Sequence, residues 1–484
     1  MMGCEPPGQD NIFSYNVALE NRVRPDHPLR RIKKTVDFSF IYDEVKDTYG
    51  TRGNVSVPPA VILKLMLLLV MYDVRSEREL METLPERLDW LWFLGYSLDT
   101  PIPDHSVLSK ARRRWGEEAF RTFFERIVVE CSRQGLIDGT KIFMDASFID
   151  ADASNNSVTD TRALKTQLDE RYRELKERLT EKESAYSEVN TRFISTTDPD
   201  ASIVRQGGKP KLRYKTHRAV DGANEIITAV TVTPGAVNEA HCMKDLVDIH
   251  AANTAMKPET VVADSKYGTI ENLLACRDRQ MKAHMPALRT QVKNTGSREG
   301  IYPDDRFIYN KETDTLTCPA GKELKRRTFH HQRNTIEYAA PKKVCRGCEL
   351  KDECTRNRTG SRSVQRHARK EDLDEMLVNT QSPPAKRDIK TRQHLMERSF
   401  ARSVRYGFDR ARWRGLWRVA IQEYLVCTLQ NIMTLIGSTG KRLTGAVGLH
   451  TLKEGNMTVP GMMEHHPFLP VHTAGEIMLP MFVR

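Results

Sequence analysis

Two short apolar runs, far apart in the chain, each end in an aspartate, and together they constrain the fold more than any other feature. Lys141-Ile142-Phe143-Met144-Asp145 and Glu259-Thr260-Val261-Val262-Ala263-Asp264 are short, apolar and rich in β-branched residues, which predicts buried strands. Between them lie β-rich runs at 214–220 and 225–233, joined by the hairpin-type turn Asp221-Gly222-Ala223-Asn224, and then a helical stretch around 241–252. Strand, hairpin, helix and strand, with a helix after Asp264, predict a mixed sheet flanked by helices. An aspartate ending such a strand emerges at the rim of the sheet. There it either shapes a turn or serves as a hard oxygen ligand for a divalent cation.

The first 135 residues read as helical. Pro58-Pro59 opens an apolar run at 60–72 that Lys64 interrupts; it falls short of the ~20 residues a bilayer-crossing helix needs and reads as a buried helix. Pro103-Asp104-His105-Ser106 offers caps for a helix at 107–115 carrying Arg112-Arg113-Arg114. A helix-turn-helix DNA reader and a structural bundle with a solvated arginine face both fit this block. Charges of alternating sign at 161–190 predict an exposed helical arm. Residues 295–385 break the α/β pattern and end at Pro383-Pro384, as an insertion would. Helical periodicity returns at 386–407 and 416–436, and the stretch 437–484 has no clear period.

The chain carries 75 Lys and Arg against 64 Asp and Glu. Much of that excess is local, with eleven Lys and Arg against three acids between Lys386 and Arg418. Such a segment is either a solvated face or a grip for a polyanion, and Arg398, Arg402 and Arg405 form a basic stripe along one predicted helix, beside Glu397. Trp413 and Trp417, set among Arg410, Arg412, Arg414 and Arg418, are able to stack on unpaired bases or to pack in a core. Nine cysteines are too few for a secreted disulfide scaffold, so a reducing compartment is expected, and no export signal is read at the N-terminus. Four of them, Cys318, Cys345, Cys348 and Cys354, have a C-x2-C knuckle at their centre and suit a structural zinc site; the competing reading is four reduced thiols.

In this order, with the cysteine-bearing insertion between the last two, Met144-Asp145-Ala146-Ser147, Val262-Ala263-Asp264-Ser265-Lys266-Tyr267-Gly268 and Glu397-Arg398-Ser399-Phe400 resemble bacterial insertion-sequence transposases of the DDE type. Tyr214-Lys215-Thr216-His217, Thr233-Pro234-Gly235 and Arg412-Trp413-Arg414-Gly415-Leu416 extend the resemblance, which runs from about residue 13 to residue 436. It implies an α/β RNase H-like catalytic core in 136–294 and 386–436, an all-α N-terminal domain in 1–135, a small Cys-rich insertion in 295–385 and an irregular tail in 437–484. Asp145, Asp264 and Glu397 would hold two Mg²⁺ or Mn²⁺ ions, with Asp150 and Asp152 as competitors for the first role. Lys266, Arg392, Arg398, Arg402, Arg405, Arg412 and Arg414 would contact DNA, although Val404 stands at the family's usual lysine position, with Arg405 beside it. The implied activity is cleavage at the element's ends and transfer of the freed 3′-hydroxyl to target DNA, by a homodimer on double-stranded DNA in the bacterial cytoplasm. Two alternatives stay open: an RNase H-like nuclease or resolvase that cuts without joining, and an inactive zinc-containing DNA-binding protein.

Overall fold

The computed structural model describes residues 2–3, 18–160, 192–288, 300–357 and 360–447. The expected helical arm at 161–190 lies outside the described residues, as do 448–484 of the expected tail.

From residue 19 to residue 133 the described chain is helical: α1 (Leu19–Arg22), α2 (Pro28–Thr35), α3 (Phe40–Val45), α4 (Pro59–Met71), α5 (Glu77–Thr83), α6 (Leu88–Leu94), α7 (Ser106–Trp115) and α8 (Glu118–Arg133). Helix α4 starts on proline, which has no amide to leave unsatisfied in a first turn. It is buried all round, and even Lys64 is covered, its ammonium 5.6 Å from the Phe38 ring centre. At the start of α7 the Asp104 carboxylate accepts the Ser106 amide at 2.8 Å. Arg112, inside the arginine run, faces inward: it pairs with Glu77 of α5 and lies 3.9 Å over the Trp413 ring, while Arg113 and Arg114 are exposed. Half of the choice left open for Trp413 is thereby described, because its ring packs against the core.

The central sheet contains β1 (Lys141–Asp150), β4 (Ser202–Val204), β5 (Lys211–Asp221), β6 (Ile227–Pro234), β7 (Thr260–Val262) and β8 (Lys282–His284), with the small pair β2 (Val158–Asp160) and β3 (Phe193–Ser195) apart from it. Its order is β6-β5-β1-β7-β8, and β4 shares the β6 edge of β5. β5 is antiparallel to both β1 and β6; β7 and β8 run parallel to β1. Alternation along β1 sorts its side chains between two cores. Phe143 joins α4, α8 and the C-terminal helix on one face, whereas Ile142 and Met144 join α9 (Met243–Thr254) and α10 (Ile270–Asp278) on the other.

Residues 300–367 form a five-stranded antiparallel sheet, β13-β12-β11-β10-β9, from β9 (Ile308–Asn310), β10 (Thr315–Thr317), β11 (Glu323–His330), β12 (Thr335–Ala339) and β13 (Ser363–His367). Its small core holds Phe307, Leu316, Leu324, Tyr338, Ala340 and Val364. Helices α11 (Lys342–Arg346) and α12 (Lys351–Cys354) carry Cys345 and Cys354, and Cys348 lies between them. The next helix, α13 (Lys370–Gln381), buries Leu373 and Met376 in the core of the central sheet beside α10.

Helix α14 (Pro383–Val404) is capped by Ser382, whose hydroxyl accepts the Ala385 amide at 3.3 Å, and its buried face is Ala385, Arg392, Leu395, Met396, Ser399 and Ser403. Helix α15 (Leu416–Val447) is apolar over 416–438 to a degree that would suit a membrane span, but that segment is the buried core helix of this fold. Its polar groups explain the placement. Asn431 closes a pair of hydrogen bonds with the Ile227 backbone at 2.8 and 2.9 Å. Glu423 accepts from Thr216 at 2.8 Å and from Arg218 Nε at 2.6 Å, and Arg218 Nη1 reaches Ser403 Oγ at 2.8 Å. The Arg218 guanidinium lies 4.8 Å from the ring centres of both Phe400 and Phe408. One fully buried ion pair thus ties β5, α14 and α15 together.

Candidate functional site

Register brings the two aspartates to one level. Phe143 pairs with Val262 at the last rung between β1 and β7, so Asp145 and Asp264, each two residues further on, lie side by side. Asp264 follows the end of β7 as expected, but Asp145 does not end its strand, because β1 runs on to Asp150 against β5 and Asp145 pairs there with Arg218. Asp264 opens a tight turn in which its carboxylate accepts the Lys266 amide at 3.0 Å and its carbonyl accepts the Tyr267 amide at 3.2 Å. Gly268 closes this turn against Pro286: a Cβ there would come within 2.0 Å of the Pro286 carbonyl oxygen. The third acid is Glu239. After β6 ends at Pro234 the chain turns through Gly235, Asn238 caps a short 3₁₀ turn by accepting the Ala240 amide at 3.1 Å, and Glu239 is its first residue. Oxygens of Asp145, Glu239 and Asp264 lie within 4.8 Å of one another, the one such convergence of three metal-capable side chains among the described residues.

Three cations surround the acids. Arg392 of α14 donates to Asp145 Oδ2 at 2.6 Å. Lys215 and Lys266 both reach Glu239 Oε1, at 3.3 and 2.9 Å. Burial pushes the Asp145 carboxyl above the usual range, with Arg392 and the Ala146 amide offsetting part of the rise and the charges of Asp264 and Glu239 adding to it. Burial and the Glu239 charge raise Asp264 in the same way. Lys215 is shifted down by burial; for Lys266 burial is outweighed by Glu239 and the two aspartates, and its ammonium is held more firmly charged.

The turn that follows Asp264 buries a polar atom whose need is unmet. The Tyr267 hydroxyl is fully buried with no hydrogen-bond partner, and burial together with the charges of Glu239, Asp145 and Asp264 drives its pKa well above the usual value. An unsatisfied buried hydroxyl costs about 1–3 kcal/mol. Three converging carboxylates suit a hydrated divalent cation, for which carboxylate and water oxygens are the natural ligands. Nearby, His217 holds Thr233 at 2.9 Å and is kept neutral by burial, which pushes it down to about 3.

Two family comparisons bear on this geometry. Residues 17–114 match the family described as Transposase domain (DUF772), and residues 317–436 match the family described as Transposase DDE domain. Together the two matches support a DDE transposase. The second match spans the cysteine segment, α14 and α15 as far as residue 436, whereas Asp145, Glu239 and Asp264 lie between the two matches. No curated protein matches the chain. The matched DDE domain implies a transposition enzyme whose substrate is DNA.

Of the three acids expected from the sequence, the transposase brings together Asp145 and Asp264 and leaves Glu397 out. Glu397 is exposed on α14, five residues from Arg392 and so turned well away from the buried face that carries Arg392, and Glu239 stands in the cluster instead. Asp150 is engaged elsewhere, by Lys211 at 2.6 Å and Arg213 at 2.7 Å, and Asp152 by Arg414 at 3.2 Å. Glu239 escaped the sequence reading because an acid in the first turn of a helix is an ordinary partner for the helix dipole. Its only flag was the strand-end Pro234-Gly235 four residues upstream.

The expected DNA-contacting side chains divide into inner and outer groups. Arg392 is buried on Asp145, and Arg412 is buried against Asp73 and the Val74 carbonyl. Arg398 and Arg402 share Glu225 on the β5–β6 hairpin, at 2.9 Å for Arg398 Nε and 2.8 Å for Arg402. Lys266, Arg405 and Arg414 retain substantial exposure. The four expected zinc ligands, Cys318, Cys345, Cys348 and Cys354, are free thiols lining one small apolar cavity. Burial, and the neighbouring Cys318, Cys345 and Cys348, push the Cys354 thiol up.

Proposed function

We propose that this transposase cuts DNA at the ends of an insertion sequence and joins the freed 3′-hydroxyls to target DNA, using two Mg²⁺ or Mn²⁺ ions held by Asp145, Asp264 and Glu239. The convergence of those three carboxylates carries the reading. The strand order β6-β5-β1-β7-β8, with the first two neighbours antiparallel and the last two parallel to the central strand, supports an RNase H-like core as its platform.

Divalent ions at such a site make water nucleophilic and stabilise the charge that develops on phosphorus. The chain's own residues do the positioning. Asp145 and Asp264 present oxygens from the adjacent β1 and the turn after β7, Arg392 fixes the Asp145 carboxylate, and the buried Tyr267 hydroxyl offers an unused donor. In the first step water attacks phosphorus, the bond from phosphorus to the 3′ oxygen breaks, and that oxygen leaves as a hydroxyl after taking a proton. In the second the same 3′-hydroxyl attacks a target phosphorus, loses its proton and displaces the target's 3′ oxygen, so one bond forms as one breaks.

Exposed Lys266, Arg405 and Arg414 would meet phosphates, and two copies would hold the two ends of one element. The shared cavity of the four cysteines supports a structural zinc ion in the insertion; about one zinc per chain in the metal-analysed protein checks this, and none refutes it.

A strand-transfer assay with purified protein, an end-bearing duplex and Mg²⁺ or Mn²⁺ tests the whole reading. Cut and joined products are expected; cut product that never joins would make the protein a nuclease. In the same assay Glu239→Gln should lose activity by about 100-fold or more, because a carboxylate ligand is replaced by a neutral amide. Glu397→Gln should retain most of it, and equal losses in the two variants would return Glu397 to the catalytic set.

A further inference from the structure

We propose that Lys266 is a displaceable counter-ion of the carboxylate cluster: its ammonium neutralises Glu239 until a divalent cation takes over that charge, and it then turns outward to a phosphate of the DNA. The inference rests on the carboxylate reading above and deepens it by giving one residue of the site two positions.

The three cations around the acids are not equivalent. Arg392 and Lys215 are buried, at 8% and 7% exposure, and Lys215 has a second anchor in the Val237 carbonyl at 2.9 Å. Neither has anywhere else to go. The Lys266 side chain is 59% exposed although its ammonium touches a carboxylate that is 4% exposed. It therefore reaches from the rim of the pocket into it.

Its backbone is fixed, by the bond from its amide to Asp264 and by the Gly268 approach to Pro286, while its flexible four-carbon stem is free to change rotamer. Glu239 Oε1 already serves both ammonium groups. A divalent ion ligated by Glu239 and Asp264 would sit beside two like charges, and the exposed one is the one it can expel. Once outside, that ammonium stands at the mouth of the site, where a scissile phosphate held by the same ions must lie. The same side chain would hold the carboxylates together before loading and grip the substrate after it.

This makes metal affinity and DNA cleavage respond in opposite directions, which a merely structural lysine would not do. Mn²⁺ binding to the full-length protein without DNA, read from the free-ion EPR signal, should be about tenfold tighter in Lys266→Met than in the wild type, because a competing like charge has gone. At saturating Mn²⁺ the same variant should cleave DNA about tenfold or more slowly, chiefly through a higher KM, and Lys266→Arg should restore both properties most of the way. Mn²⁺ affinity that Lys266→Met leaves unchanged or weakens overturns the proposal, and so does unimpaired cleavage by that variant. Asp264→Asn in the same titration separates the two levels. If it abolishes Mn²⁺ binding, the carboxylate reading stands and the lysine is judged on its own variants; if it binds like the wild type, the carboxylate reading falls and takes the proposal with it.

Discussion

Asp145→Asn and Asp264→Asn are each expected to lower DNA cleavage by on the order of 10³-fold or more while leaving the protein folded. Each change swaps a charged oxygen ligand for a neutral amide of the same shape, so packing is conserved and only the hold on a divalent cation is lost. Several kcal/mol of transition-state charge stabilisation depend on that hold, and each 1.36 kcal/mol is a factor of ten in rate. Both carboxyls are raised by burial, Asp145 further by the charges of Asp264 and Glu239 and Asp264 further by that of Glu239, so neutral side chains at these positions relieve repulsion in the folded state. Thermal unfolding should accordingly show no loss of stability. Single-turnover cleavage of a labelled duplex, alongside a melting curve, checks both halves; full activity in either variant would remove that residue from the chemistry.

The opposite pattern is expected one layer below. Arg218→Met should destabilise the protein by about 3–5 kcal/mol, the cost of leaving one member of a buried ion pair without the other. Here the abandoned group is Glu423, 1% exposed, which would keep Thr216 but lose its charge partner. Arg218 also fills the space between Phe400 and Phe408 and holds Ser403, so the loss spreads to the contacts of α14 with α15 and β5. Chemical denaturation of the variant measures it directly. Replacing both partners with apolar residues of similar volume should recover much of the stability, because the desolvation penalty disappears with the pair. A single variant as stable as the wild type would mean that the network contributes nothing.

How much of this was legible in the sequence follows from how local each signal is. β1, the β5–β6 hairpin and β7 could be read because apolar strands and turn residues carry their own short-range pattern, and Asp145 and Asp264 stood out at the ends of the apolar runs, although β1 itself continues past Asp145 to Asp150. The insertion's sheet was not legible: Leu316, Leu324 and Val364 are each the one buried apolar residue of their strand, and only long-range pairing assembles them. Glu397 misses the cluster by a rotation about α14. Sequence spacing alone sees that Glu397 lies among arginines, but not that Ala385, Arg392 and Ser399 set which face of α14 is turned to the sheet. The arginine run misled in part for a related reason. A count of positive charge does not distinguish Arg412, whose guanidinium is used up inside the fold, from Arg405, which is exposed.

The anomalous difference map of Mn²⁺-loaded crystals of the full-length protein addresses the cation site most directly. The expected result is density about 2.0–2.2 Å from oxygens of Asp145, Asp264 and Glu239, with Glu397 outside the coordination sphere. Density ligated by Glu397 in place of Glu239, or by none of these carboxylates at saturating Mn²⁺, would contradict it.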